Sequence, residues 1–377
     1  MAEPFPPYRA HLNGHANGSA DGWAHARPAE NGDRPPVRTA VVGYGYWGPN
    51  LARNVAERPE LELAGLCELD RRRADAFAQK HPGLTVWREL DGLLLEPDVD
   101  AVLLATPPQT HYPYARRALE AGKHVLVEKP LATTAENARE LIELARAREL
   151  VLMPGHTFVY SASVNAVRQL IRDGVLGEVY FITSSRMNLG KYQLDGVICD
   201  LAPHDLSILL YWLEERVVQV AASAQSVFRT GVAETAFLTL TFESGTTANI
   251  QISWLAPRKV RQMIVVGSRR MVQYDDTASD EPVRVYDRGM DFAAAPASFG
   301  EYQLTYRTGD VVIPRVDAVE PLSLELEDFA RAVRTGGEPR SSSALGLEIV
   351  AVLEAAETSL RGGGEPVTPV LAERVAA

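Results

Sequence analysis

From Arg38 onward, short apolar runs alternate with stretches of helical periodicity. The runs at 38–42, 61–67, 101–105, 124–127 and 150–153 read as strands. Segments starting at Pro49, Arg71, His111 and Thr134 read as the helices between them. Strands this uniformly apolar predict a parallel sheet covered on both faces. Pro49 suits a first helical turn, where its missing N–H costs nothing, and Thr133 or Thr134 can cap the helix running through Ala147.

Beyond about residue 155 the pattern changes. One helix is predicted over 161–173, ending at Gly174. Alternating or β-branched stretches then follow at 179–186, 217–227, 236–242, 246–254 and 262–266, predicting a largely antiparallel sheet. Helices are predicted over 201–213, 322–334 and 345–360, while the polar stretch 277–310 reads as loops and short strands. The expected architecture is a doubly wound α/β Rossmann domain over 38–157, then an α+β domain with a large open antiparallel sheet over 158–365. Residues 1–37, rich in Pro, Gly, Asn and Ala, read as a disordered leader, and 366–377 as a tail. His11, His15 and His25 in the leader have no Cys or carboxylate cluster beside them and read as solvated, so no metal site is expected.

Composition narrows the function. With 377 residues, 46% of them hydrophobic, the chain can bury a large core. Its net charge of -11 disfavours a nucleic-acid partner, because phosphate-backbone binders carry a basic face. Two cysteines, Cys67 and Cys199, are too few for a disulfide framework or a paired-cysteine zinc site. No run approaches the length of a membrane span, and no signal-peptide pattern opens the chain; a soluble, cytoplasmic protein is expected.

Directly after the first predicted strand comes Gly43-Tyr44-Gly45-Tyr46-Trp47-Gly48. This is the dinucleotide fingerprint, in which glycines allow a tight turn and let a pyrophosphate approach a helix N-terminus. Glu68 follows at the end of the second strand, placed to bind ribose hydroxyls. Its charge favours NAD over NADP, although Arg71 and Arg72 are near enough to supply counter-charge to a 2′-phosphate. Tyr46 and Trp47 either cover the cofactor or pack the helix start. Thr106 and Pro107, after the third apolar run, are expected beside the nicotinamide; His111 either joins them or merely begins the next helix.

Glu128-Lys129-Pro130 stands at the same sheet edge, and Asp200 and His204 lie four apart near a predicted helix start, on one side of it. The fingerprint, this triplet and the later Asp-x-x-x-His pair together resemble the glucose-fructose oxidoreductase, inositol dehydrogenase and MocA (Gfo/Idh/MocA) family over about residues 38–365. The resemblance implies an NAD(P)-dependent sugar dehydrogenase or reductase. Lys129, Asp200 and His204 would be catalytic and in contact with substrate, Glu128 and Lys129 would stand beside the cofactor, and the Lys129–Pro130 peptide would be cis. His204 would then exchange the hydroxyl proton, for which an ordinary histidine pKa near 6.5 suffices, and Lys129 would stabilise the alkoxide. Asp200 could orient either residue or bind a sugar hydroxyl. Gly155-His156 also resembles a recurrent family loop.

Substrate contacts are expected from 186–192, with Arg186, Asn188, Lys191 and Tyr192 as candidates; the alternative is that these are ordinary strand-end and loop residues. GYWGPN and DLAPHD resemble a subgroup acting on nucleotide-linked amino sugars or uronic acids, often at C3. Inositol or free-aldose oxidation and a non-catalytic NAD(P)-binding regulator are the rival readings. An open sheet with one apolar face further predicts a homodimer or homotetramer.

Overall fold

The computed structural model describes residues 35–370 apart from 191, 194, 229–230, 293–303 and 318. The predicted leader up to residue 34, with its three histidines, lies outside the described residues, as do Lys191 and positions 371–377 of the tail.

The first half alternates strand and helix: β1 (Val37–Val42), α1 (Gly48–Glu57), β2 (Leu61–Cys67), α2 (Arg71–Lys80), β3 (Thr85–Trp87), α3 (Leu90–Leu94), β4 (Ala101–Leu104), α4 (His111–Glu120), β5 (His124–Glu128), α5 (Ala135–Ala147) and β6 (Leu152–Gly155). The six strands form one parallel sheet in the order β3-β2-β1-β4-β5-β6. The order in which strands are added reverses between β1 and β4, and a crevice opens there at the carboxyl ends, where such sheets bind ligands. Local chemistry sets the helix starts. The side chains of Asp70 and Thr134 accept the N–H groups of Arg73 and Asn137, capping α2 and α5. The short edge elements β3 and α3 carry no clear period and were not predicted.

The second half contains α6 (Ala162–Arg172), β7 (Val179–Met187), α7 (Gly196–Leu213), β8 (Val217–Gln225), β9 (Thr235–Phe242), β10 (Thr247–Ser253), β11 (Val260–Gly267), β12 (Met271–Asp275), β13 (Val283–Phe292), β14 (Leu304–Val312), α8 (Pro321–Thr335) and α9 (Ser343–Arg361). Its eight strands run β14-β13-β12-β11-β7-β10-β9-β8, antiparallel except where β7 and β10 pair in parallel. Two differences from expectation stand out. Long strands β13 and β14 occupy much of the polar stretch read as loops and short strands, because one face of this sheet meets solvent and tolerates polar residues. Helix α7 begins five residues earlier than predicted, with Val197 and Ile198 buried in its first turn, so Asp200 and His204 sit inside the helix rather than at its start.

The last two helices return to the first sheet. Leu322, Leu326, Phe329 and Ala330 of α8 share a core with Val41 of β1, Leu51 of α1 and Leu126 of β5. Val350 and Ala351 of α9 join the core on the sheet's other face. The Glu354 carboxylate of α9 also accepts the Ala135 N–H at the start of α5. A linear division at residue 157 therefore assigns α8 to the second domain, although it packs into the core of the first.

Candidate functional site

A cavity of about 1390 Å³ runs from the fingerprint turn to the face of α7. That exceeds the 300–1,000 Å³ usual for one small ligand and leaves room for a dinucleotide and a second molecule. At its nucleotide end, Gly43 has φ +92°, and a Cβ there would meet the Ala105 carbonyl oxygen at 2.7 Å. A Cβ on Gly48 would stand 2.2 Å from the Gly43 oxygen, whereas one on Gly45 would meet nothing within 4 Å. Two glycines are thus required by packing, and the third leaves open space in the cavity wall. That open wall above the start of α1 fits a pyrophosphate, and with it NAD.

Glu68 lines the same cavity. Its Oε2 accepts the Tyr44 N–H at 2.6 Å and its Oε1 accepts the Asp70 N–H at 2.8 Å. Each oxygen keeps a lone pair for a ribose hydroxyl. Gly43, Gly45, Tyr46, Trp47, Thr106 and Pro107 also line this end. Gly48 does not; it is buried beneath the turn. Arg71 and Arg72, expected as counter-charges, are absent from the wall, and Arg71 instead faces Asp75 at 3.9 Å. The arginine in the wall at this nucleotide end is Arg73, 4.0 Å from Glu68.

At the far end β5 delivers Glu128 and Lys129 and α7 delivers Asp200 and His204, all four lining the cavity. The Lys129–Pro130 peptide is cis, as the resemblance implied. Lys129 Nζ donates to the Asp200 carbonyl at 2.6 Å and to its Oδ1 at 3.2 Å. Asp200 Oδ2 accepts the Trp254 indole N–H at 3.0 Å. The Asp200 side chain is therefore held by Lys129 and Trp254, with no side-chain hydrogen bond to the His204 ring. The His204 ring packs edge-on against Phe158, with centroids 5.2 Å apart.

Burial dominates the electrostatics here. Desolvation, and then the charges of Lys129, Arg186 and Arg261, hold the His204 imidazole well below its ordinary pKa. The expectation of an unperturbed histidine is corrected: His204 is neutral at neutral pH, with its proton-accepting nitrogen free. The buried His156 is likewise pushed down to about 3 by desolvation and by Lys129. Glu128 moves the other way, up to about 8, because its burial outweighs the ammonium of Lys129 beside it.

A family model described as "Oxidoreductase family, NAD-binding Rossmann fold" matches residues 37–156, and the "GFO/IDH/MocA C-terminal domain" matches 164–273. The chain belongs to the Gfo/Idh/MocA family. The matched Rossmann model describes NAD-binding oxidoreductases, and the chain's relatives include sugar dehydrogenases and reductases. UDP-N-acetylglucosamine 3-dehydrogenase of Acidithiobacillus ferrooxidans is 31% identical over 79% of this chain and 88% of that one. A dTDP-3,4-didehydro-2,6-dideoxy-alpha-D-glucose 3-reductase of Saccharopolyspora spinosa is 28% identical over 80% and 89%. Among solved structures, GenD2 from gentamicin A biosynthesis in complex with NAD superposes with a TM-score of 0.74 at 25% identity, covering 89% of this chain and 97% of its own. Against two Escherichia coli relatives, the match spans only 54% of their length, about half.

Within this Gfo/Idh/MocA fold, several expected site residues are placed elsewhere. His111 is buried outside the cavity wall, its Nδ1 2.7 Å from the Pro130 carbonyl oxygen and its Nε2 2.8 Å from that of Thr106. Burial favours its neutral ring, which donates to one of these two carbonyls, so His111 packs between the loops that carry Thr106 and Lys129 and is turned away from the cofactor cavity. Arg186 is also withdrawn: buried on β7, its Nε donates to buried Asp205 at 2.7 Å and its guanidinium lies over the Phe158 ring. It cannot meet a substrate phosphate, because β-strand alternation turns it onto the core face with Ile182 and Ser184. Tyr192 lies outside the wall, its ring against Trp254, while Asn188 lines the cavity as expected. Wall residues that were not foreseen include Arg73, Trp254, and the ion pair of Arg261 with Asp276 at 2.8 Å.

Among the described residues, no helix is long and apolar enough to cross a membrane.

Proposed function

We propose that the protein oxidises a secondary alcohol of a sugar, or reduces the matching ketone, and that the sugar is linked to a nucleotide and reacts at C3. The observation carrying this reading is that Lys129, Asp200 and His204 meet in one cavity with the glycine turn. The nucleotide and the carbon are suggested by the printed names of the two relatives above.

In the oxidising direction, neutral His204 takes the hydroxyl proton as the C–H bond breaks. Lys129 donates a hydrogen bond to the oxygen as it gains negative charge. Asp200 anchors Lys129 through Oδ1 while Trp254 fixes its other oxygen, so the ammonium is already oriented before substrate arrives. Bound NAD supplies the hydride acceptor. In reduction the same two groups return a proton to the carbonyl oxygen. Support for a nucleoside diphosphate comes also from the size of the cavity. A homodimer or homotetramer through the outer face of the eight-stranded sheet fits the exposure of Phe181, Phe237 and Ile264 on it; light scattering on a size-exclusion column reads this directly.

The test is spectrophotometric. Purified protein with NAD or NADP is offered nucleotide sugars, free aldoses and inositols, and reduced nicotinamide is followed. Turnover of a nucleotide sugar is expected, falling by about 10²–10⁴ in Lys129→Ala and in His204→Ala while NAD affinity stays. Turnover unaffected in both variants, or saturable NAD binding with no turnover across the panel, defeats the reading.

A further inference from the structure

Three cations lie close enough to act on His204: Lys129, Arg186 and Arg261. Each is matched by its own carboxylate. Lys129 meets Asp200 at 3.2 Å, Arg186 meets Asp205 at 2.7 Å and Arg261 meets Asp276 at 2.8 Å. The first and third pairs line the cavity together with His204, and the middle one is buried. Asp195, also in the wall, adds a further negative charge. Among the described residues this end of the cavity therefore offers no unmatched cation.

A lined ion pair presents a donor and an acceptor side by side. That pattern complements a hydroxyl, which donates one hydrogen bond and accepts others. It does not complement a carboxylate, which only accepts, and which would be set against Asp200 or Asp276 on shedding its water. We infer that the ring bound beside His204 is uncharged: the pocket takes a neutral polyhydroxylated sugar and discriminates against a ring carrying a carboxylate. This rests on the sugar-oxidoreductase reading above and narrows its substrate class.

The experiment separates binding from turnover. Protein saturated with NAD is titrated calorimetrically with UDP-N-acetylglucosamine and with its 6-carboxylate counterpart, so that the diphosphate charge is common to both. The neutral ring is expected to bind at least tenfold tighter. Asp276→Asn leaves Arg261 unmatched and is expected to shift this ratio at least tenfold toward the carboxylate. The double variant Arg261→Gln/Asp276→Asn, with the pair removed, is expected to favour the neutral ring again. Equal or tighter binding of the carboxylate by the unaltered protein overturns the inference, including the case where that preference disappears in Lys191→Ala. So does an unchanged ratio in Asp276→Asn that still binds NAD; should that variant not fold, the ratio in the unaltered protein decides alone. Selective binding of the neutral ring without turnover would leave the inference standing and remove the oxidoreductase step. Binding of neither ring overturns both.

Discussion

Replacing Asp205 with Asn tests how the floor of the site is held. The carboxylate and the guanidinium of Arg186 are both almost fully buried, 1% and 4% exposed. Burial raises the Asp205 carboxyl even with Arg186 bonded to it, so the pair has not recovered all of its desolvation cost. Removing one partner from such a pair costs about 3–5 kcal/mol, because the other charge is stranded away from water. The Asn amide oxygen can still accept from the Arg186 Nε, a bond contributing about 1 kcal/mol, which puts the expected loss near 3 kcal/mol. At about 2–4 °C per kcal/mol for large domains, Tm should fall by about 6–12 °C. Arg186 also lies 4.6 Å over the Phe158 ring that walls His204, so kcat should fall with stability. Thermal and urea unfolding of Asp205→Asn, Arg186→Met and the double variant Arg186→Met/Asp205→Leu close the cycle. The double variant should lie within about 1 kcal/mol of the unaltered protein, since apolar replacement of a whole buried pair is often neutral. An Asp205→Asn protein within about 0.5 kcal/mol of the original would refute the argument that the pair is charged and dry.

The glycines of the turn should separate into two classes. Gly45→Ala has open space around its new methyl group and should leave Tm unchanged while weakening NAD binding about tenfold or more, read by fluorescence titration. Gly48→Ala places a carbon 2.2 Å from the Gly43 oxygen and should lower Tm by several degrees as well; identical Tm values for the two variants would contradict this. His156 predicts a pH effect. It titrates near 3 in the fold against an ordinary 6.5, so below pH 6.5 the unfolded chain binds a proton that the native state refuses. Stability should decline on acidification, by about 2 kcal/mol at pH 5 from this group alone. His156→Leu should show a shallower loss between pH 7 and 5 in urea unfolding, and parallel pH profiles would remove His156 as the cause.

Much of the fold was legible because its signals are local. Apolar runs bounded by caps placed β1, β2, β4 and β5 almost to the residue, and the turn after β1 announced its own ligand. What escaped was information carried by neighbours. Nothing in Pro321–Thr335 says that its apolar stripe completes the core under β1 rather than joining the second sheet. His111 stands beside cofactor-lining residues in sequence, yet its ring turns inward to two carbonyls. One available signal was missed. Arg186 alternates with buried Ile182 and Ser184, Arg261 with buried Met263 and Val265, and Asp276 continues the buried face of Val272 and Tyr274. A charged residue in register with the core face of a strand must be paired or must line a cavity. That rule points to all three.

The same register explains why this end of the cavity is chemically specific. Strands β7 and β11 are neighbours in the sheet, and they turn Arg186 and Arg261 onto the face that α7 covers, toward the helix bearing His204. Lys129 approaches from the other sheet. Three cations around one imidazole lower its proton affinity, and unmatched they would also bind any anion that diffused in. The paired carboxylates prevent the second. Two of them, Asp200 and Asp205, ride on α7 itself, four and one residues from His204 on either side, and Asp276 follows β12. The helix that presents the base therefore also carries most of the counter-charge around it. His204 stays neutral enough to accept a proton, and it is depressed enough to give that proton up readily. That balance suits a residue that must act in both directions of a reversible reaction.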